Sequence, residues 1–305
     1  MSVINAGNSI AEVSELQPIW VPDDLDQPLE NVSLTQSIAC RLTNPYKNYL
    51  LPESWLKGLL SSSQSALLAE TFRRPGGWRT MEMMYQNAKP VDKLDQQAMR
   101  ENAIARASRN RLQIVTQILM DLISQYSKQG KVTIMGVGAG PGRHVQTAIS
   151  RLNLTADQIT AYLIDLDDDA FDYGNRFARQ LGISDGVNFI QGDAREIQDV
   201  LPNVKPHVVK LIGLVEYLND EQLTELFRAL HRVMVPGGTL VTHGLVDPYN
   251  GSPFLKRIFG LEHVKRTGEE MRHLLESTGF RTVDLVEEPM KVFPILTAVK
   301  DSEAA

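Results

Sequence analysis

The chain contains 305 residues, of which 43% are hydrophobic, and it carries a formal net charge of -6. This length and apolar content are sufficient for a substantial core, which argues against a disordered chain. No block of Lys and Arg stands out, so the composition also argues against a nucleic-acid binder and favours a small, neutral or cationic ligand.

Cysteine usage and hydropathy narrow the class of protein further. Cys40 is the single cysteine, which excludes an internal disulfide and a cysteine-rich zinc site, and it is expected to be a buried structural residue. No stretch reaches about 18 consecutive apolar residues, and the first residues lack the basic and apolar regions of a secretory signal. We therefore expect a cytoplasmic protein that has no contact with a membrane.

Residues 1–100 are predicted to form an acidic arm and a helical cap. Residues 1–30 contain six acidic residues, three prolines and no Lys or Arg, which fits either a solvated terminus or a flap that orders over a ligand. A helix is expected at residues 53–68. Proline and glycine then predict a turn at residues 75–77.

The remaining two thirds of the chain are predicted to form an α/β domain, residues 101–305. One long helix is expected from residue 95 to about residue 129, with Gly130 as its stop. After it, apolar and amphipathic segments alternate, which predicts a parallel sheet covered on both faces. The expected strands are 132–136, 159–165, 187–191, 208–212 and 239–242, and the expected helices are 143–152, 168–181, 220–234 and 267–277.

The end of the chain breaks this alternation. Residues 282–287 and 292–299 are two strand-like segments, and the stretch between them is too short for a helix. Parallel neighbours need a long crossover connection, whereas antiparallel neighbours need only a turn. These segments should therefore form an antiparallel hairpin at one edge of the sheet.

A glycine-rich loop follows the first predicted strand and precedes a predicted helix. Residues 136–142 read Gly-Val-Gly-Ala-Gly-Pro-Gly. Glycine lets the backbone approach a ligand closely, and the helix N-terminus supplies partial positive charge. The dinucleotide fingerprint G-x-G-x-x-G fails, because its third glycine would fall on Pro141 or Arg143, and the Gly-Lys-Ser/Thr of a phosphate-binding P-loop is missing.

Two carboxylates follow the second and third predicted strands. Asp165 closes the second strand, where a carboxylate can accept hydrogen bonds from both ribose hydroxyls of a nucleoside. Asp193 follows Gly192 after the third strand. The alternative for Asp165 is a helix-start carboxylate, and for Asp193 it is an ordinary turn or cap residue.

This series of features resembles the class I S-adenosylmethionine-dependent methyltransferases. The alternating glycines look like the first motif of that family, and Val235-Pro236-Gly237-Gly238 resembles its turn into the fifth strand. The resemblance covers about residues 100–300. It implies a seven-stranded, mostly parallel Rossmann-like sheet with an antiparallel C-terminal hairpin and an N-terminal helical extension, and it implies S-adenosylmethionine as cosubstrate. The implied cofactor-binding residues are Gly136, Gly138, Gly140, Gly142, Asp165, Leu166, Asp193, Ala194 and Gly213.

One position departs from the family pattern. The family often has an acidic residue two positions before Gly138, where it supports the methionine amino group, and this chain has Gly136 there. Because Gly136 has no side chain, recognition of the methionine ammonium group is expected from backbone carbonyls or from Glu216, unless the ligand is held differently. At the other end of the cosubstrate, the resemblance implies that Asp193 contacts the adenine amino group.

Three candidate catalytic residues follow strands at the carboxyl edge of the predicted sheet, where such folds bind ligands. Glu216 and Tyr217 follow the fourth strand, and His243 follows the fifth. A base is needed only if the methyl acceptor must lose a proton. Glu216 and Tyr217 are alternatively helix-start residues, and His243 is alternatively a hydrogen-bonded structural histidine. His144, at the start of the helix after the glycine loop, is expected to contact solvent or a loop.

The candidate substrate-binding residues surround the turn at residues 75–77. Arg74 or Arg79 could pair with an acceptor carboxylate, and aromatic faces such as Trp78 and Tyr85 attract a sulfonium by cation–π contact. The alternative is that the aromatic side chains pack the extension onto the sheet domain. No HxxxH or CxxC motif suggests a metal.

The sequence favours a methyltransferase that acts on a small molecule beneath an N-terminal helical cap, with a homodimer as an open alternative to a monomer. A second interpretation keeps the cosubstrate but breaks a different sulfonium bond, by aminocarboxypropyl transfer or by cyclisation to azetidine-2-carboxylate. The unusual Gly136 keeps that interpretation open. A third is a non-catalytic binding module.

Overall fold

The computed structural model describes Leu16 and residues 26–301. The acidic arm expected at residues 1–30 thus lies largely outside the described residues. Six helices precede the first strand: α1 Leu34–Tyr49, α2 Glu53–Ser61, α3 Ala66–Arg73, α4 Trp78–Gln86, α5 Lys93–Gln96 and α6 Ala103–Tyr126. A π-helical turn, Gln97–Glu101, joins α5 to the segment before α6.

The helix expected at residues 53–68 is in fact two helices, α2 and α3. The chain leaves α2 in a run of serines, whose hydroxyl groups compete for backbone hydrogen bonds. The Ser65 side chain accepts a hydrogen bond from the backbone N–H of Leu68 and so caps the new helix, and Ser63 donates to Asp92. The prediction of one continuous helix was wrong because these caps are stronger local signals than the apolar pattern.

The long helix expected from residue 95 is also interrupted. The Asn102 side chain accepts hydrogen bonds from the N–H groups of Ile104 and Ala105, so α6 begins at Ala103. A short 3-10 turn, Ser127–Gln129, follows α6, and Gly130, with a φ of 138°, ends the helical segment as predicted.

The sheet has seven strands in the order β3-β2-β1-β4-β5-β7-β6. Its strands are β1 Val132–Val137, β2 Ile159–Asp165, β3 Val187–Gln191, β4 Val208–Leu211, β5 Thr239–His243, β6 Phe280–Glu287 and β7 Pro294–Lys300. The first five strands are mutually parallel, as predicted. The carboxyl ends of β1 to β5 therefore meet at one edge of the sheet, which is where such folds bind ligands.

The predicted C-terminal hairpin is confirmed, and the structure adds its position. Strand β7 lies antiparallel between β5 and β6, so β6 forms the sheet edge. Six further helices complete the domain: α7 Arg143–Arg151, α8 Asp169–Leu181, α9 Ile197–Val200, α10 Asp220–Val233, α11 Ser252–Phe259 and α12 Gly268–Glu276.

The core lies on both faces of the sheet. On one face, α6 and α7 bury residues such as Leu119 and Ile149 against β1 and β2. On the other face, α10 and α12 bury residues such as Phe227 and Leu275 against β1 and β4. Burial on both sides explains why these strands read as nearly continuous apolar runs. Lys210, in the middle of β4, is the exception that matters for the site.

The structure bears on two further expectations, the burial of Cys40 and the absence of a membrane-spanning helix. Cys40, expected to be buried, is half-exposed on α1, where it packs beside a small cluster that includes Met290 and Phe293. Within Leu16 and residues 26–301, no helix combines the length and apolar content that a membrane span requires.

Candidate functional site

A cavity of about 450 Å³ opens at the carboxyl ends of the parallel strands. The glycine loop forms one wall, the ends of β2 to β4 form the floor, and α4 and α6 approach from the N-terminal extension. The predicted residues that line it are Trp78, Tyr85, Gly138, Gly140, Asp165, Leu166, Asp193, Ala194, Gly213, Glu216 and Tyr217. Five predicted residues do not line it: Arg74, Arg79, Gly136, Gly142 and His243.

The glycine loop is compact because side chains are excluded at key positions. Gly142 has a φ of 75°, and a Cβ atom there would lie 2.3 Å from Leu163 Cδ1. Gly136 lies behind the loop within β1, where a Cβ would lie 2.9 Å from Leu163 Cδ2. Gly136 and Gly142, expected among the cofactor-binding residues, do not line the cavity; their missing side chains make room for packing within the loop.

Asp165 fixes the loop while it faces the cavity. Its Oδ2 accepts a hydrogen bond of 2.6 Å from the Gly140 N–H, and its Oδ1 accepts one of 3.0 Å from the Asp167 N–H. An ionised carboxylate has about four acceptor sites, so two remain for hydroxyl groups of a ligand. The geometry is compatible with the expected contact to ribose.

Asp193 lies at the outer end of the cavity, in a polar turn. It accepts a hydrogen bond from the Arg195 N–H and two of 3.0 Å from Arg195 Nε. These hydrogen bonds to the Arg195 side chain lower the pKa of Asp193, so the carboxylate is ionised at neutral pH. It thus has the cap role that was its alternative interpretation, and it also lines the cavity.

Two cationic side chains that the sequence analysis did not single out lie at the inner end of the cavity. Arg111 reaches it from α6, and Lys210 reaches it from β4. Both are buried, and Lys210 Nζ donates a hydrogen bond of 3.0 Å to the Ile212 carbonyl. Burial, together with the charge of Arg111, lowers the pKa of Lys210 to about 7. A lysine inside a central apolar strand was a signal that could have been noticed from sequence.

Glu216 faces these cations from the turn after β4. Its Oε1 lies 3.8 Å from Arg111 Nη1, and its Oε2 has no hydrogen-bond partner among the described residues. Burial opposes ionisation, but the positive charge that faces the carboxylate, that of Arg111, favours the ionised form and lowers the pKa of Glu216. The site therefore contains an ionised, buried carboxylate with an acceptor position left open.

His243 is fully buried behind the cavity wall. Its Nε2 accepts a hydrogen bond of 3.1 Å from the Gly213 N–H, and its Nδ1 lies 2.7 Å from the Gly244 carbonyl, to which it must donate. This pair of bonds assigns the neutral tautomer, and burial lowers the pKa of His243 accordingly. His243, expected as a candidate catalytic residue, is placed outside the cavity lining, and its burial and two backbone hydrogen bonds fit the alternative of a structural histidine.

His144 was expected to contact solvent or a loop. The structure instead buries it in the cavity wall, where its ring is edge-on to the ring of Tyr85 at a centroid distance of 5.8 Å. Burial holds the pKa of His144 well below its ordinary value, so the imidazole is neutral. Its Nε2 is buried without a hydrogen-bond partner in the described part of the chain.

The four predicted substrate residues divide into two groups. Arg74 and Arg79 pair with Asp169 at the start of α8, at 3.2 Å and 2.8 Å, and lie outside the cavity lining. Trp78 and Tyr85 line the cavity, although Trp78 also packs against Tyr173 with ring centroids 5.2 Å apart. The packing alternative, which concerned the aromatic side chains, fits the contact of Trp78 with Tyr173, and the two arginines also join the extension to the sheet domain through Asp169.

A buried ion pair fixes α4 over the site. Arg143 Nη2 lies 2.6 Å from Glu82 Oε2, and the Tyr173 hydroxyl donates to the same oxygen at 2.9 Å. Because Glu82 belongs to α4 while Arg143 and Tyr173 belong to α7 and α8, the pair joins the helical extension to the α/β domain. At the rim, the Tyr217 hydroxyl comes so close to Gly76 that a Cβ there would lie 2.4 Å away.

The arrangement can hold an elongated ligand with an uncharged middle and polar ends. Asp165 and Asp193 supply acceptors at one end, and Arg111, Lys210 and Glu216 supply charges at the other. A volume of about 450 Å³ is within the range of small-molecule sites. In the part of the chain that the structure describes, no group of three or more His, Cys, Asp or Glu side chains is placed to hold a metal ion.

Comparison with protein families gives one match. A family model described as "Putative methyltransferase" matches residues 76–300, which include α4, α6 and the entire sheet. A search of curated proteins gave no match.

Comparison with solved structures gives many similar folds. A protein from Bordetella parapertussis described as a "possible exported protein" is 17% identical, with a TM-score of 0.66 over 88% of this chain and 96% of that one. Magnesium protoporphyrin IX methyltransferase from Synechocystis PCC 6803 with bound S-adenosylhomocysteine is 14% identical, with a TM-score of 0.55 over 76% and 97%. An O-methyltransferase family protein from Burkholderia thailandensis is 14% identical, with a TM-score of 0.51 over 78% and 72%.

Proposed function

The chain belongs to the methyltransferase family that its residues 76–300 match, and we propose that it transfers a methyl group from S-adenosylmethionine to a small molecule. S-adenosylmethionine is the cosubstrate. The observation that carries the proposal is the single cavity that joins the glycine loop, Asp165 and Asp193 to a charged inner end beneath α4. A helical extension fixed over the site by the Glu82–Arg143 pair favours an acceptor small enough to be enclosed.

The residues present fit the cosubstrate at both ends. Asp165 has free acceptor positions for ribose hydroxyls, and Asp193, whose side chain lines the same cavity, is the residue proposed to contact the adenine amino group. At the other end, Arg111 Nε and Glu216 Oε2 are buried and have no hydrogen-bond partner among the described residues, although His243 Nε2 lies 3.4 Å from Glu216 Oε2. Buried polar atoms are nearly always hydrogen-bonded in folded proteins, so these two atoms favour a polar ligand group at this position.

When bound, the cosubstrate supplies an electrophilic methyl group on a sulfonium, and the protein's task is alignment and exclusion of water. Trp78 and Tyr217 line the cavity near its opening and can present aromatic faces to a positive sulfonium. The lowered pKa of Glu216 makes it a weak base, so this carboxylate suits pairing with a cationic group of the ligand better than taking a proton from the acceptor. His243 would act through Gly213 and Glu216 as a positioning residue, not as a base.

The domain division at residue 100, a cytoplasmic location and the choice between monomer and homodimer stay predictions of the sequence. The start of α6 at Ala103, after the Asn102 cap, supports a division near residue 100.

One incubation tests the proposal. The purified protein is mixed with S-adenosylmethionine, alone and with panels of small phenols, carboxylic acids, amines and thiols, and the products are separated by mass spectrometry. We expect S-adenosylhomocysteine to form in amounts that depend on one acceptor class. The control is Asp165→Ala, which should lower this product at subsaturating cosubstrate.

Other products would contradict methyl transfer. Methylthioadenosine without S-adenosylhomocysteine would indicate attack elsewhere on the sulfonium, as in aminocarboxypropyl transfer or cyclisation to azetidine-2-carboxylate. Measurable binding of S-adenosylmethionine with neither product, across all acceptor panels, would favour a non-catalytic binding module.

A further inference from the structure

We propose that Lys210 and Arg111 bind the carboxylate of the cosubstrate's methionine group while Glu216 binds its ammonium. This inference rests on the proposed function and deepens it, because it assigns the amino-acid end of the ligand to three side chains. The charged side chain beside the glycine loop is then Lys210 on β4, whereas the family pattern has an acidic side chain on β1, at the position of Gly136.

The register of the sheet places Lys210 beside the glycine loop. Gly136 in β1 and Lys210 in β4 are paired residues in neighbouring parallel strands. Paired residues in a parallel ladder project to the same face of the sheet. Gly136 has no side chain, so beside it Lys210 of the neighbouring strand β4 supplies a cation to the cavity. The charge at the inner end is positive where the family pattern would make it negative.

Two buried polar atoms at the inner end of the cavity, one on Arg111 and one on Glu216, lack hydrogen-bond partners. The Arg111 and Glu216 side chains are only 3% and 8% exposed, yet Arg111 Nε and Glu216 Oε2 have no hydrogen-bond partner in the described residues. Glu216 Oε2 lies 3.4 Å from His243 Nε2, which already accepts the Gly213 N–H. One of these atoms is a donor and the other an acceptor. A ligand that satisfies both must present an acceptor and a donor close together, as the carboxylate and ammonium of an α-amino acid do, since they share one carbon atom.

The balance of charge at the inner end of the cavity favours an anionic ligand group. Other cations near the cavity are already engaged: Arg143 pairs with Glu82, and Arg195 pairs with Asp193. At the inner end, Arg111 and Lys210 face one fully buried carboxylate, Glu216; Asp165 also faces Lys210, but it is only partly buried and accepts hydrogen bonds from the Gly140 and Asp167 N–H groups. Among the fully buried groups, the two cations exceed the carboxylate by one charge when Lys210 is protonated, which favours an additional carboxylate from a ligand.

The positions of the lining residues along the sheet indicate which part of a ligand supplies that carboxylate. Asp193 and Asp165 lie at the ends of β3 and β2, whereas Lys210 lies on β4, on the far side of β1. One ligand that spans this line has a nucleoside at one end and an amino acid at the other. S-adenosylmethionine has this layout, and its sulfonium then falls above the glycine loop.

The test compares three ligands by calorimetry: S-adenosylhomocysteine, its analogue in which hydrogen replaces the carboxylate, and 5'-methylthioadenosine. We expect the wild-type protein to bind S-adenosylhomocysteine about tenfold or more tightly than the decarboxylated analogue, since a charge-assisted contact is lost. This comparison needs no variant. Equal affinity for these two ligands would overturn the inference.

Variants then assign the contact. Lys210→Met should lower the affinity for S-adenosylhomocysteine about tenfold and leave the decarboxylated analogue and 5'-methylthioadenosine within about twofold. Lys131→Met, at an exposed position just before β1, is the matched control and should change none of the three. Circular dichroism verifies that both variants are folded. An equal loss of all three ligands in Lys210→Met would indicate a general structural effect and would contradict the assignment.

A pH series adds an independent readout. The titratable groups that face Lys210 are Arg111 on α6, the neutral His144 on α7, Asp165 at the end of β2, and Glu216. Because the pKa of Lys210 is about 7, its positive charge is lost as the pH rises from 6 to 8.5. The affinity for S-adenosylhomocysteine should fall over this range in the wild type but not in Lys210→Met, and 5'-methylthioadenosine should show no such fall.

The remaining outcomes separate this inference from the proposed function. Failure of the wild type to bind any adenosyl ligand would overturn the proposed function itself. Binding of all three ligands with equal affinity would overturn only the assignment of the carboxylate. If Lys210→Met instead weakened only the binding of an acceptor that carries a carboxylate, the site would belong to the acceptor, and the assignment to methionine would be wrong.

Discussion

Asp165 connects the glycine loop to the ligand through a single carboxylate. One oxygen accepts the Gly140 N–H and the other accepts the Asp167 N–H, while free acceptor positions face the cavity. A side chain with this many partners is held in one orientation, which is the condition for a ligand contact with little entropic cost. The residue therefore contributes both to the shape of the loop and to recognition.

Replacement of Asp165 tests this dual role. Asp165→Ala should weaken the binding of S-adenosylhomocysteine by roughly 1 kcal/mol or more, because two hydroxyl contacts and the support of Gly140 are lost. Asp172→Ala, on the exposed side of α8, is the control and should leave affinity unchanged. Calorimetry measures both. Affinity in Asp165→Ala equal to that of the wild type would remove the ribose assignment.

Residue types that look functional in sequence have different roles once their neighbours are known. His243, predicted as catalytic, uses both ring nitrogens for backbone groups, whereas His144, predicted to contact solvent, lies buried in the cavity wall. Both follow or begin an element at the same sheet edge. The direction of a side chain at an element boundary depends on the local turn, so sequence gives its position but not its orientation.

At the scale of elements, the glycine loop joins β1 to α7 with almost no free space. Gly142 precedes α7 with a φ of 75°, and any side chain there meets Leu163 of β2. Gly182, after α8, has a similar φ of 71°, but a Cβ there would meet nothing within 4 Å. The two glycines therefore share a backbone conformation and differ only in the space around them.

The pair of substitutions Gly142→Ala and Gly182→Ala separates backbone strain from steric exclusion. Both should lose about 1 kcal/mol of stability, since alanine is strained at positive φ. Gly142→Ala should lose roughly 1–3 kcal/mol more, because Leu163 must move in a packed core. Urea unfolding measures the free energy of unfolding for each variant. Equal losses would mean that the contact with Leu163 has no energetic weight.

Local caps explain where the expected elements and the observed ones differ. Ser65 and Asn102 each begin a helix inside a segment predicted as continuous. Both residue types are preferred N-caps, so the breaks were accessible to closer reading of the sequence. The position of β7 between β5 and β6 was not, because strand order within a sheet depends on contacts between distant segments.

At the scale of the whole molecule, the helical extension and the α/β domain share buried charges. Glu82 on α4 pairs with Arg143 on α7, and both side chains are buried. A buried charge that loses its partner is costly, because the low-dielectric interior does not solvate it. The pair therefore makes the attachment of α4 specific to one orientation over the cavity.

Removal of one partner tests that attachment. Glu82→Ala should destabilise the protein by roughly 3 kcal/mol, since Arg143 stays buried without its carboxylate. Glu53→Ala is the matched control: it breaks the exposed pair with Lys57 and should leave the stability close to that of the wild type, because solvent screens this pair. Thermal or urea unfolding distinguishes the two. A loss in Glu82→Ala no larger than in the control would mean that the buried pair does not hold the extension in place.

The sequence by itself determined the alternation of strands and helices, the glycine loop, the two carboxylates after β2 and β3, and the antiparallel end. These features are local, since periodicity, turn residues and the spacing of a motif act within a few residues along the chain. Only the tertiary structure decided that Lys210 and Arg111 meet Glu216 at the inner end of the cavity. That meeting depends on β4 pairing with β1 and on α6 covering their face, and such long-range contacts leave no periodic trace in a single sequence.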